Sequence, residues 1–272
     1  MCGAMTIRLS LAFALITTAC GPGQSAPATA PGAAAAFDPS ASDPKAVAVA
    51  DKVYAAAGGA AWEKVKQIRW TEVVTNDGNP TASGEQAWDR WGGRHHGRLS
   101  TEQGDIIVMH ELYGDSRSAF IDKNRMPDDD TDKAVKRALE RWNFDTAGLC
   151  LQFLVKAPGV KLSYGGEKQD DAGQPTLEEI KITFDPKDSA RDATTWYAIV
   201  DKATSVISRI ELVQPGKPDT ARIGYQLLDW VTVDGMKFPT KLQNIGLKSE
   251  VIVFKDIKVG DPEEDLYVPQ VQ

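Results

Sequence analysis

Cysteine is scarce in this chain of 272 residues. Of three, Cys2 and Cys20 fall near the start, which leaves Cys150 alone in the body of the sequence. A single thiol cannot close an intramolecular bridge, so stability is expected to rest on packing. Cys150 stands in the apolar run Leu149-Cys150-Leu151 and reads as a buried, inert thiol. Histidine is as rare: His95, His96 and His110, with none afterwards. Adjacent strand residues point to opposite faces, so His95 and His96 would not share a metal ion, and no metal site is expected. Basic charge is in deficit, with 31 Lys and Arg against 38 Asp and Glu for a net −7. That balance argues against a nucleic-acid partner, whose phosphates demand a basic face.

Catalytic motifs are missing too. There is no Gly-x-Ser-x-Gly elbow and no phosphate-cradling glycine loop. Gly114-Asp115-Ser116 has the form of an esterase nucleophile block, but that chemistry needs a later histidine to deprotonate the serine, and none follows His110. A turn between two short strands explains the same residues. Asp128-Asp129-Asp130-Thr131-Asp132 begins like a calcium loop. It fails where Lys133 stands in the place of the turn glycine and Leu139 in that of the bidentate acid. Acids at the start of a helix, favoured by its dipole, account for the run. The expectation is a protein that is not an enzyme and uses no cofactor.

What is present begins at the N-terminus. Arg8 precedes the apolar run 9–16, too short for a bilayer span of about 20 residues, and small residues lead to Cys20-Gly21. This resembles the lipobox of bacterial lipoproteins, in which the cysteine is acylated, although Thr17 stands where such boxes usually carry Leu. The resemblance implies a signal over 1–20, lipidation at Cys20 and attachment to a membrane through the N-terminal lipid. Gly21 in place of Asp favours an outer-membrane, periplasm-facing location. An ordinary signal peptide with an incidental cysteine is the other reading. The segment 21–44 is Ala, Pro, Gly and Ser with little charge, and reads as a disordered tether. The remainder, 45–272, is long enough for one β-rich domain.

That domain opens with helical spacing over 46–57, stopped by Gly58-Gly59, and a short helical stretch over 61–65. From Gln67 the period becomes two. Ile180, Ile182 and Phe184 alternate with Lys181, Thr183 and Asp185, while Val206, Ile210 and Leu212 share a face of another strand, and Val251 and Val253 a face of a third. Asp77-Gly78, Gly92-Gly93, Pro215-Gly216 and Asp234-Gly235 punctuate the runs, and the series predicts sequential antiparallel hairpins. The strand Ile106 to Tyr113 is apolar on both faces, so it needs cover on each side or lines an apolar cavity. Residues 131–144 read as a helix whose stripe is Ala134, Val135, Ala138, Leu139 and Trp142; 149–155 adds further apolar material, which Pro158-Gly159 ends. The fold class is mainly β with helices, a long curved antiparallel sheet with helices on one side.

The opening Ala55-Ala56-Ala57-Gly58-Gly59-Ala60-Ala61-Trp62, leading to a strand with Trp70, resembles periplasmic lipoprotein-sorting-like proteins. So does the ending, with Leu228-Asp229-Trp230, Val233-Asp234-Gly235-Met236-Lys237-Phe238-Pro239 and Phe254-Lys255-Asp256-Ile257-Lys258-Val259. Together, over about 46–268, they resemble the superfamily of the Lol-type lipoprotein carrier and its outer-membrane receptor. The resemblance implies an incomplete antiparallel β-barrel, or half-barrel, lidded by helices, with an apolar hollow for acyl chains. The ligand would be a lipid or lipoprotein, and the lining candidates are Trp88, Ile107, Met109, Leu139 and Trp142. The same residues would form a solid core in a structural or interaction lipoprotein of the envelope, which is the alternative function. No protein partner is marked.

Overall fold

The structure is a computed structural model that describes residues 37–101, 104–185 and 190–268. The expected signal over 1–20, with Cys20, and the tether as far as residue 36 lie outside the described residues. Residues 37–44, read from composition as the end of the tether, lie instead against the domain. The amide of Asp43 donates to the Leu162 carbonyl at 2.9 Å, and the Leu162 amide to Ser42 Oγ at 2.9 Å. Asp43 caps the helix that follows by accepting from the Lys45 amide, with Pro44 in the first turn, an arrangement that starts a helix well.

Two antiparallel meanders make one sheet. The first comprises β1 (Gln67–Asn76), β2 (Asn79–Asp89), β3 (Arg94–Thr101), β4 (Gly104–Glu111), β5 (Arg117–Ile121) and β6 (Asn124–Arg125). The second comprises β7 (Val160–Lys168), β8 (Leu177–Phe184), β9 (Thr195–Asp201), β10 (Ile207–Val213), β11 (Ile223–Val233), β12 (Met236–Asn244) and β13 (Glu250–Gly260). Pairing of β1 with β13 joins them, so the strand order is β6-β5-β4-β3-β2-β1-β13-β12-β11-β10-β9-β8-β7. The edges β6 and β7 do not pair, and the barrel stays open. Asp77-Gly78 and Asp234-Gly235 turn their hairpins with φ of 50° and 78°, and 48° and 79°, the left-handed pair whose twist matches the strands.

Helices α1 (Pro44–Ala56) and α2 (Gly59–Trp62) precede the sheet, and α3 (Asp128–Leu154) runs between the two meanders. At 27 residues, α3 is a rod of about 40 Å. It is longer than the span 131–144 read from the stripe. The extension carries buried Asp145, Thr146 and Gly148 along with Leu149, Leu151 and Phe153, so polarity hid the continuation. Asp128, Asp129 and Asp130 occupy its first turn. At Gly148 the helix presses on the sheet, where an added Cβ would stand 2.5 Å from Leu242 Cδ1.

The core lies between these helices and one face of the sheet, the inner face. Ile180, Ile182 and Phe184 of β8 are buried in it as their alternation predicts. Two strands depart from the expected facing. A register shift between Ile207 and Arg209 puts Ile207, not Val206, inward beside Ile210 and Leu212. In β13 the buried pair is Ile252 and Phe254, with Val251 and Val253 only half-buried.

Candidate functional site

The core is not filled throughout. Two hollows lie under the helices on the inner face, of about 450 Å³ and about 420 Å³. Each falls within the range of about 300–1,000 Å³ that small-molecule sites occupy.

Aromatic rings line the first hollow. Trp62 of α2 stacks on Phe153 of α3, with centroids 4.6 Å apart and planes 13° from parallel. Trp88 of β2 meets Trp142 of α3 edge to face at 5.4 Å. Tyr54 of α1 and Phe184 of β8 complete the wall, and Trp91 and Tyr113 stand exposed among the lining residues. The helices place these rings because Trp142 and Phe153 sit eleven positions, or about three turns, apart on α3.

Two arginines enter this aromatic space. The Arg90 guanidinium lies 3.8 Å over the Trp62 ring and donates through Nη1 to the carbonyls of Trp62 at 2.8 Å and Val65 at 2.5 Å. Arg191 precedes β9 and lies 4.7 Å over Trp142 and 5.0 Å over Phe184. Burial lowers the pKa of each to about 10, so both remain charged at neutral pH.

The second hollow is formed by Leu99, Ile106, Val108, Ala138 and Met126, with Glu72, Gln86 and Arg141 among its polar groups. Arg141 of α3 pairs with buried Glu72, and with buried Asp145 at 2.9 Å. Burial first, then the hydrogen bond and charge of Asp145, push the Glu72 carboxyl up to about 10 and keep it protonated. A polar chain runs along the inner face beside Trp142: His110 Nε2 lies 2.9 Å from His95 Nδ1, and His95 Nε2 lies 2.7 Å from Gln86 Oε1. Burial, then the neighbouring His110 and His96, hold His95 well below the usual histidine range. His95 and His110 are register partners on one face, whereas burial of His96 lowers its pKa to about 4. Among the described residues no group of three or more His, Cys, Asp or Glu side chains is placed to hold a metal ion. Ser116 sits in the turn between β4 and β5, its carbonyl accepting from the Glu111 amide at 2.9 Å.

The five lining candidates separate. Trp88 and Trp142 meet at the first hollow. Leu139 is half-buried against the core beside them and lines neither hollow. Ile107 and Met109 alternate along β4 with Ile106 and Val108, and it is the latter two that line the second hollow. Met109 borders a smaller cleft of about 90 Å³ with His110 and Tyr267. A strand apolar on both faces gives no sign of which face is hollow. Trp62, Phe153, Arg90 and Arg191 were not anticipated. Trp62 follows the Gly58-Gly59 break and Phe153 lies one helix period from Leu149, both readable signals; a loop arginine carries none.

The site is thus a pair of hollows under helices on an open antiparallel sheet. No family model matches the sequence, and no curated protein does. Several solved structures are similar over most of their length. A DUF1329 family protein from Desulfovibrio piger is 10% identical with a TM-score of 0.48, over 82% of this chain and 97% of that one. A putative outer membrane lipoprotein-sorting protein domain from Vibrio parahaemolyticus is 11% identical with a TM-score of 0.45, over 82% and 96%. A LolA superfamily protein from Nitrosomonas europaea is 9% identical with a TM-score of 0.42, over 82% and 97%.

Proposed function

We propose that this protein is a membrane-anchored periplasmic binding protein for an acyl chain or another apolar ligand, acting in lipid or lipoprotein traffic. The observation that carries the reading is the hollow of about 450 Å³ walled by Trp62, Trp88, Trp142 and Phe153. Natural cores pack as densely as organic crystals, with few voids larger than a water molecule, so an aromatic hollow of this size is suited to an occupant. Its work is sequestration: each buried methylene contributes about 0.8 kcal/mol, from which ordering of the ligand subtracts. The anchor rests on Cys20, where several acyl chains would hold the protein firmly at the outer membrane. Residues 21–36 would give the domain reach from that surface.

Mass spectrometry of the purified protein tests both halves. Under denaturing conditions the mature chain is expected to begin at Cys20 and to carry covalent acyl mass. Under gentle conditions it should carry additional mass in steps of a fatty acid or lipid. A protein that stays ligand-free after incubation with lipid would instead fit an envelope lipoprotein that docks onto a partner through its surface.

A further inference from the structure

Among the described residues Arg191 is the least compensated buried charge. The residue is only 6% exposed. The Nη1 group donates to the Asn143 carbonyl over a long 3.4 Å, and Nη2 has no partner. Other buried charges are paired. Asp89 meets Arg94 at 2.6 Å, Glu179 meets Arg222 at 2.8 Å, and Asp145 meets Arg141 at 2.9 Å. Arg90, the second arginine of the same hollow, is held by two backbone carbonyls. Beyond its long bond to Asn143, Arg191 has the faces of Trp142, Phe184 and Trp88, at 4.7, 5.0 and 5.9 Å.

An unpaired buried charge costs several kcal/mol of desolvation, and a ring face returns only part of that. A guanidinium among the lining residues of an aromatic hollow is complementary to one kind of occupant, an apolar body with a planar anionic end. Carboxylate fits the fork geometry of arginine, and such a bond is strengthened by charge on both partners.

We propose that the aromatic hollow takes a long-chain carboxylate, a fatty acid, whose chain lies among Trp62, Trp88 and Phe153 and whose carboxylate accepts from Arg191. This rests on the reading of the hollow as a ligand site and adds the head group to it. The arrangement distinguishes a free fatty acid from a neutral acyl ester, which offers no charge to the guanidinium.

Calorimetric titration of the full protein with decanoate, decyl phosphate and decanol tests it. Decanoate is expected to bind at least tenfold tighter than decanol, a difference of about 1.4 kcal/mol. Arg191→Met, which keeps an unbranched apolar body, should lose that preference, while Arg191→Lys, which keeps the charge without the fork, should keep part of it. Thermal unfolding of R191M at or above the wild-type temperature shows that the variant folds. Equal affinity for acid and alcohol, or a preference that survives in R191M, overturns the assignment and leaves the apolar hollow standing. Tighter binding of decyl phosphate than of decanoate overturns the carboxylate in favour of a phosphate head. Failure of all three to bind overturns the hollow as a ligand site as well.

Discussion

Three histidines show how far burial governs chemistry at single residues. His95, His96 and His110 are exposed by 0%, 9% and 7%, and none has a carboxylate to support a positive ring. Burial lowers His96 and His110 to about 4, against an ordinary value near 6.5. Between those values the unfolded chain takes up protons that the folded chain refuses. Stability is therefore complete above about pH 6.5 and is lost as pH falls toward 4, by up to about 1.4 kcal/mol per pH unit for each histidine. Glu72, pushed up to about 10, works in the opposite sense, so the comparison belongs between variants rather than within one curve. His96→Gln should flatten the fall in unfolding temperature between pH 6.5 and 4.5. Identical slopes for variant and parent, or a His96 ring that titrates near 6.5 by NMR, would contradict the burial account. Cys150 obeys the same rule: fully buried, its thiol is pushed up to about 12, which fits the inert role read from its apolar neighbours.

At the scale of elements, the parts that were legible are those with strong local chemistry. Asp77-Gly78 and Asp234-Gly235 turn where their left-handed preference says, and Ile180, Ile182 and Phe184 face the core because alternation leaves no second choice. The long helix was legible only in its first half. Asn143, Asp145 and Thr146 interrupt the apolar stripe, yet all are buried, because Arg141 meets Asp145 and Thr146 Oγ1 donates to the Trp142 carbonyl at 2.6 Å. Those pairings are made in three dimensions and leave no periodicity. Trp88 and Trp142 line the first hollow, whereas pattern cannot tell Ile107 and Met109 from Ile106 and Val108, since both faces of β4 are apolar. Gly148 marks a close approach of helix and sheet. Replacing it with Val would force Leu242 and the helix apart, and overpacking of this kind costs about 1–3 kcal/mol. The expected drop in unfolding free energy is measurable by denaturant titration; an unchanged midpoint would mean that the contact yields freely.

On the scale of the whole molecule, a sheet that begins in its own middle explains how the hollows arise. The chain runs outward from β1 to β6, crosses by α3, and returns from β7 to β13 beside β1. The helices must then cover both halves of an open sheet, with α3 against β4, β5 and β12 and α1 against β7 and β8. Where their side chains are large and the sheet curves, the two surfaces do not meet throughout, and the space left is walled by whatever faces inward. Bulges such as the register shift between Arg69 and Thr71 bend the strands that form this wall. Among the described residues no helix is long and apolar enough to cross a membrane.

Tryptophan fluorescence reads directly whether an acyl chain lies in the aromatic hollow, as proposed. A fatty acid brominated in mid-chain quenches only indole rings that it touches. Titration should quench the protein, and Trp88→Phe and Trp142→Phe should each lower the maximal quenching, whereas Trp230→Phe on β11, away from this hollow, should not. A saturating ligand that quenches nothing, or equal quenching in all three variants, would place the chain elsewhere and contradict the account.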